Sequence, residues 1–206
     1  MTIIFDKILS TETHYGCIWY GTYIKKMNQP KTCIIKMVLI DSPHANPNAF
    51  ISNDEKPYYH KLFQGRKSMS TLAFEHEVNM IKTLSKTRLA PKLYTSYIET
   101  TKYKTTYGFI VMEKMDKTVK DVLLKRDLSS KETNKILENI DLLHKLDVCH
   151  GDCKPSNIGV KLKNGEINKI RFLDLAKCRK ISSNKDVDRD IKTFWQHLKS
   201  NTNLRL

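Results

Sequence analysis

The run Cys149-His150-Gly151-Asp152-Cys153-Lys154-Pro155-Ser156-Asn157 holds an acid, a lysine two residues on and an amide five residues on. A second acid follows at Phe172-Leu173-Asp174. Phosphoryl transfer needs this set: an acid to orient an acceptor hydroxyl and take its proton, a cation to neutralise the moving phosphoryl group, and two oxygen donors for magnesium. Asp152, Lys154, Asn157 and Asp174 have the atoms for those four tasks in that order. Asn164-Gly165 between two apolar-alternating runs signals a tight hairpin. That hairpin puts Asn157 and Asp174 at adjoining strand ends, where both can reach one hard, oxygen-seeking cation.

The flanking chain has the patterns of elements that could hold such a loop. Ile136, Leu137, Ile140, Leu143, His144 and Leu146 recur at helical spacing after Ser129, an N-cap candidate with Glu132 in the first turn. His144 and His150 read as packed, hydrogen-bonding residues rather than catalysts. Residues 186–198 read as an amphipathic helix, and residues 116–125 as a short one. In the amino-terminal half, residues 3–10 and 16–25 form a hairpin pattern. Cys33–Ile40 reads as a buried strand containing Lys36, an ammonium that needs a carboxylate or phosphate partner there. Residues 70–85 have helical periodicity and offer two acids, Glu75 and Glu77. Further strands start at Ala90-Pro91 and at Tyr107, and residues 41–70 read as a long polar loop or insertion.

Composition bounds the setting. The chain has 206 residues, 40% of them hydrophobic, which is enough for one domain or two small lobes. Lys+Arg 36 against Asp+Glu 22 gives +14, which favours acidic partners such as nucleotide phosphates, acidic protein surfaces or nucleic acid. Five cysteines, with no secretory signal, point to a reducing compartment, cytoplasmic or nuclear. No second Cys-x-x-Cys pair accompanies Cys149, His150 and Cys153, which argues against zinc. No run approaches membrane-spanning length, so no membrane partner is expected. The Lys, Asn and Ile usage resembles that of AT-rich genomes such as those of large DNA viruses.

His150-Gly151-Asp152 through Asn157, followed by Asp174-Leu175-Ala176, resembles the catalytic and metal loops of the protein-kinase-like superfamily. The Gly after His is similar to compact vaccinia-related, PRPK-type and RIO-type kinases and to small-molecule phosphotransferases, while Lys154 favours the Ser/Thr protein-kinase side. The resemblance implies an α+β, bilobal fold, with an antiparallel-sheet lobe over residues 1–112 and a truncated, mainly helical lobe over 113–206. It implies ATP and magnesium as cofactors. Lys36 would hold the α/β-phosphates and Glu77, with Glu75 as the alternative, would pair with Lys36. Gly16 and Ile18 would end the phosphate-covering loop. Met112 would be the gatekeeper, Glu113 and Met115 would lie at the adenine edge, and Asp116 would approach the ribose. Asp188 would brace the catalytic loop from the last helix.

Two departures stand out. Of the Gly-x-Gly-x-x-Gly pattern only Gly16 remains, after Thr11-Glu12-Thr13-His14-Tyr15. No Pro follows Pro155, so the Ala-Pro-Glu motif that closes an activation segment is missing. The expected function is a minimal Ser/Thr protein kinase acting on a protein hydroxyl. Two other readings fit: a kinase-shaped binding module of weak activity, and a PRPK-like, RNA-associated ATPase.

Overall fold

The structure is a computed structural model that describes residues 1–10, 16–25, 29–41, 67–101 and 105–202. The hairpin tip at 11–15 and most of the proposed insertion, 42–66, lie outside the described residues. The chain divides into two compact units, Met1–Val78 with Lys92–Lys114, and Asn79–Pro91 with Met115–Leu206.

The first unit is built on a five-stranded antiparallel sheet. Its strands are β1 (Thr2–Ser10), β2 (Gly16–Ile24), β3 (Lys31–Ile40), β4 (Leu93–Thr100) and β5 (Thr106–Glu113), in the order β1-β2-β3-β5-β4. Alternation along the strands decides which side chains meet. Cys17, Trp19 and Tyr23 of β2, Cys33, Ile35 and Met37 of β3, and Tyr107, Phe109 and Val111 of β5 form one buried cluster. Aromatic rings knit it: Phe5 stands edge-on to Trp19 and Phe109, and Tyr97 stacks on Phe109 at 4.7 Å. Lys36 has the opposite parity, so it leaves this cluster and faces the helix α1 (Thr71–Lys86). Ser70 Oγ accepts from the Ala73 amide at the start of that helix. Gly108 lies where a side chain would collide with the Phe74 ring, so β5 and α1 pack closely there. The end of the polar stretch before α1 is anchored rather than loose. Met69 is buried, bridges Ile40, and exchanges backbone hydrogen bonds with Leu39 and Asp41.

The second unit contains β6 (Lys117–Thr118), α2 (Val119–Leu123), α3 (Ser130–Lys145), β7 (Val148–Cys149), β8 (Ile158–Lys163), β9 (Glu166–Phe172), β10 (Arg179–Lys180) and α4 (Asn184–Thr202). β6, β8 and β9 make one small sheet, and β7 pairs with β10. The helix expected over 116–125 is shorter. Thr118 accepts from the Asp121 amide while Asp121 accepts from the Thr118 amide, and this reciprocal cap starts α2 at Val119. Asp116 falls outside it. The last helix is longer than residues 186–198 because Asn184 and Lys185 already have helical backbone. Ile136, Ile140 and Leu143 of α3 pack inside with Ile158, Val160, Ile170, Phe172 and Phe194, all buried. Among the described residues no helix is long and apolar enough to cross a membrane.

Glu132 ties the hairpin to α3. Its carboxylate takes both Arg126 guanidinium nitrogens, the Ser129 amide and the Ile167 amide. The Arg126 hydrogen bond is the main force holding its carboxyl down to about 2. Because the folded value lies below the unfolded ~4.3, this contribution is complete above that value and fades as the pH falls from there towards about 2. Arg126 is 39% exposed, so solvent screening reduces the contribution to on the order of 2 kcal/mol. Glu132→Gln should therefore lower the melting temperature by roughly 4–8 °C at neutral pH. Melting curves taken between pH 7 and 3 should show the gap to wild type narrowing only below about pH 4.

Candidate active site

In the first unit, Lys36 Nζ donates to both carboxylate oxygens of Glu77, at 2.7 and 2.9 Å. Lys36 is 7% exposed and Glu77 1%, whereas Glu75 on the same helix is exposed. A buried pair of this kind is weak evidence for stability, because desolvation consumes most of the Coulomb gain. Gly16 lies at the start of β2 opposite Val38, and a Cβ there would sit 1.8 Å from the Met37 carbonyl oxygen. Close strand packing alone is therefore enough to require glycine at 16. Ile18 is the cross-strand neighbour of Lys36. Met112 is buried in β5, and Glu113 closes that strand, with its amide donating to the Lys92 carbonyl.

In the second unit the loop after β7 is held from two sides. Asp190 of α4, 1% exposed, accepts from the amides of His150 at 2.6 Å and Gly151 at 2.9 Å. His144 Nε2 lies 3.1 Å from the same carboxylate. Burial pushes the Asp190 carboxyl up, but the His144 contact and the two amides outweigh it and leave it below its ordinary value. From the other side, His150 Nε2 meets the Leu173 carbonyl at 3.0 Å, and the Asp152 amide donates to His150 Nδ1. A carbonyl only accepts and an amide only donates, so the ring is neutral with its proton on Nε2. Burial likewise drives the His150 pKa down. Gly151 has φ +76, and a Cβ would meet the Lys177 carbonyl oxygen at 2.7 Å. Both facts require glycine between the His and the Asp.

This frame presents Asp152, half-buried, with Lys154 Nζ 3.2 Å and Lys177 Nζ 3.4 Å from its Oδ2. Burial raises the Asp152 carboxyl, but Lys154 first and Lys177 after it bring the net value below the ordinary one. The group is an ionised, cation-flanked hydrogen-bond acceptor at neutral pH. Asn157 sits in a single turn at Pro155–Asn157, with Nδ2 donating to the Asp152 carbonyl at 3.0 Å. That bond uses the amide nitrogen and turns the amide oxygen to the other side. The Leu173 amide donates to the Asn157 carbonyl, so the strand ends do adjoin. Asp174 is exposed and left-handed, at φ 55 and ψ 64. That is an uncommon conformation that Asp tolerates and that tends to occur at functional turns. An amide oxygen and a carboxylate are hard donors suited to magnesium, so the residues present fit that ion.

Met115 lies against Gly159, where a Cβ would meet its side chain at 2.8 Å. Asp116 accepts from the Leu162 amide and pairs with Lys161. The brace expected at Asp188 is Asp190 instead. Asp188 is exposed, whereas Asp190, two residues on along α4, faces the loop. Asp186, also buried, takes Arg179 and the Ser182 amide and hydroxyl. Sequence reasoning also missed Lys177. Its one signal was its place three residues after Asp174, in a segment with no familiar motif. Cys149, Cys153 and Cys178 are buried around the loop with free thiols, and burial raises the pKa of the first two.

The sequence profile of the lipopolysaccharide kinase (Kdo/WaaP) family matches residues 55–203. The matched stretch includes Glu77, Asp152, Lys154, Asn157, Asp174 and Asp190, and starts after Lys36. No curated protein sequence matches the chain.

Asp190→Asn should damage the loop without removing any group of the Asp152 set. One amide of the pair would lose its acceptor and face an N–H donor instead, at a cost of about 1–3 kcal/mol. Thermal melting should show a drop of several degrees. In a phosphotransfer assay kcat should fall by at least about tenfold, because the aim of Asp152 depends on the clamp.

Proposed function

The chain belongs to the lipopolysaccharide kinase (Kdo/WaaP) family, within the protein-kinase-like superfamily, and we propose that it is an ATP- and magnesium-dependent phosphotransferase whose acceptor is a Ser or Thr hydroxyl of a protein. The observation that carries the reading is the Asp152 carboxylate with Lys154 Nζ at 3.2 Å, on a loop whose backbone is fixed by Asp190 and His150. In the reaction the acceptor oxygen forms a bond to the γ-phosphorus as the bond to the β-phosphate oxygen breaks. The electron pair of that bond leaves with ADP, and the acceptor proton goes to Asp152 Oδ. Asp152 orients the hydroxyl, and its ionised state at neutral pH fits the role of acceptor. Lys154, two residues on, offsets charge on the transferring group. Lys36, fixed by Glu77, supplies a cation for the α/β-phosphates. Asn157 and Asp174 would hold magnesium, which when bound screens the charge of the nucleotide phosphates.

The protein acceptor rests on the Asp-x-Lys-x-x-Asn spacing, which resembles Ser/Thr kinases. A second reading, transfer to a sugar hydroxyl, is favoured by the description of the matching family. The two separate in one experiment. Whole protein is incubated with γ-labelled ATP, magnesium and either a Ser/Thr-rich protein mixture or a lipopolysaccharide acceptor. We expect acid-stable, alkali-labile label in protein, reduced at least about 100-fold in Asp152→Asn and lost in Asp174→Ala. Label confined to the saccharide acceptor selects the second reading. Equal label in wild type and Asp174→Ala overturns catalysis at this loop altogether.

A further inference from the structure

Two ammonium groups converge on one oxygen of Asp152, and only one of them has a task in the chemistry above. Lys154 is 35% exposed by its side chain, whereas Lys177 is 66% exposed. The backbone on either side of Lys177 is fixed. Leu175 and Cys178 are buried, the Cys178 amide donates to the Leu175 carbonyl, and the Lys177 carbonyl lies against Gly151. Arg179 then pairs with Cys149 in the β7–β10 ladder. A rigid backbone thus carries a solvent-facing ammonium to the rim of the catalytic carboxylate. The neighbouring cations have carboxylates of their own, Asp186 for Arg179 and Asp147 for Lys180. Lys177 instead rests on the proton acceptor.

The contact is a loose one, 3.4 Å between a largely exposed ammonium and a half-buried carboxylate. An exposed ion pair contributes little to stability, so Lys177 can exchange Asp152 for another anion almost freely. An acceptor that brings its own carboxylate close to the hydroxyl would draw Lys177 off Asp152 and gain an ion pair with it. Among the described residues, the groups facing Asp152 are Lys154 from its own loop, Lys177 from the segment after Asp174, and the neutral ring of His150.

We propose that Lys177 is a specificity-determining residue that selects peptide acceptors in which an acidic side chain adjoins the Ser or Thr hydroxyl. The inference rests on the protein-acceptor reading and names its substrate class. Residues 175–183, the link between Asp174 and α4, provide this docking cation where the activation segment of larger kinases would stand.

The test uses the whole chain, ATP and magnesium with three synthetic peptides that share one Ser. They carry Asp and Glu, Asn and Gln, or Lys at the flanking positions. Wild type should favour the acidic peptide in kcat/KM by about tenfold or more, chiefly through KM, as expected for gaining one charge-assisted contact. Lys177→Met should raise KM for the acidic peptide to that of the neutral one, and Lys177→Glu should shift preference to the Lys-flanked peptide. Lys180→Met, which alters an 83% exposed cation on the same segment, should keep the acidic preference. A merely structural role for Lys177 would not reverse preference with charge. Phosphopeptide formed equally from all three peptides, or an acidic preference that survives both Lys177 substitutions, overturns the proposal while leaving the protein-acceptor reading intact. Absence of any phosphopeptide with wild type overturns that reading, and this inference with it.

Discussion

The loop that carries Asp152 depends on one buried carboxylate. Asp190 lies on the last helix, yet its two oxygens define the backbone of His150 and Gly151, 40 and 39 residues earlier in the chain. Amides in a tight loop have no strand or helix partner, and leaving two of them unmet in a dry interior would be costly. An ionised acceptor with two oxygens satisfies both at once, and His144 on α3 completes the arrangement. The helix α3, the loop after β7 and the distant helix α4 are thereby committed to one geometry. Phosphoryl transfer asks for positioning more than for covalent chemistry, so in the proposed reaction this clamp matters as much as Asp152.

The second constraint is steric. Gly151 has a conformation that favours glycine and sits against the Lys177 backbone, while Asp174 takes a left-handed turn that most side chains resist. These two points set how the loop and the short segment after β9 fit together. They explain why a His-Gly-Asp sequence stands here, and why the link after Asp174 can reach β7 and form a two-residue ladder.

Much of this was legible before any coordinates. The strands around Lys36, the capped helix after Ser129 and the Asn164-Gly165 hairpin each rest on local signals, namely period-2 alternation, a capping box and turn chemistry. All three appear within a residue or two of their expected bounds. The α+β class and the antiparallel amino-terminal sheet, which the resemblance of the loop motifs implies, are present as well. What was not legible depends on rotation about an axis. Asp186, Asp188 and Asp190 are alternating acids on one helical turn and a half, and only packing against the loop decides that 190 rather than 188 faces inward. Lys177 was hidden for a different reason. Its role comes from a contact with a residue 25 positions earlier, in a segment with neither periodicity nor motif.

The three thiols around the loop carry one more consequence. Cys149, Cys153 and Cys178 are at most 1% exposed, and the first two are held in the protonated, unreactive form by burial. Alkylating reagents attack thiolates, so the native loop should resist them and become labelled only when it breathes open. The rate of cysteine modification is thus an intrinsic gauge of excursions around Asp152. A compound that tightens the loop would announce itself by slowing that rate, without any knowledge of what the enzyme phosphorylates.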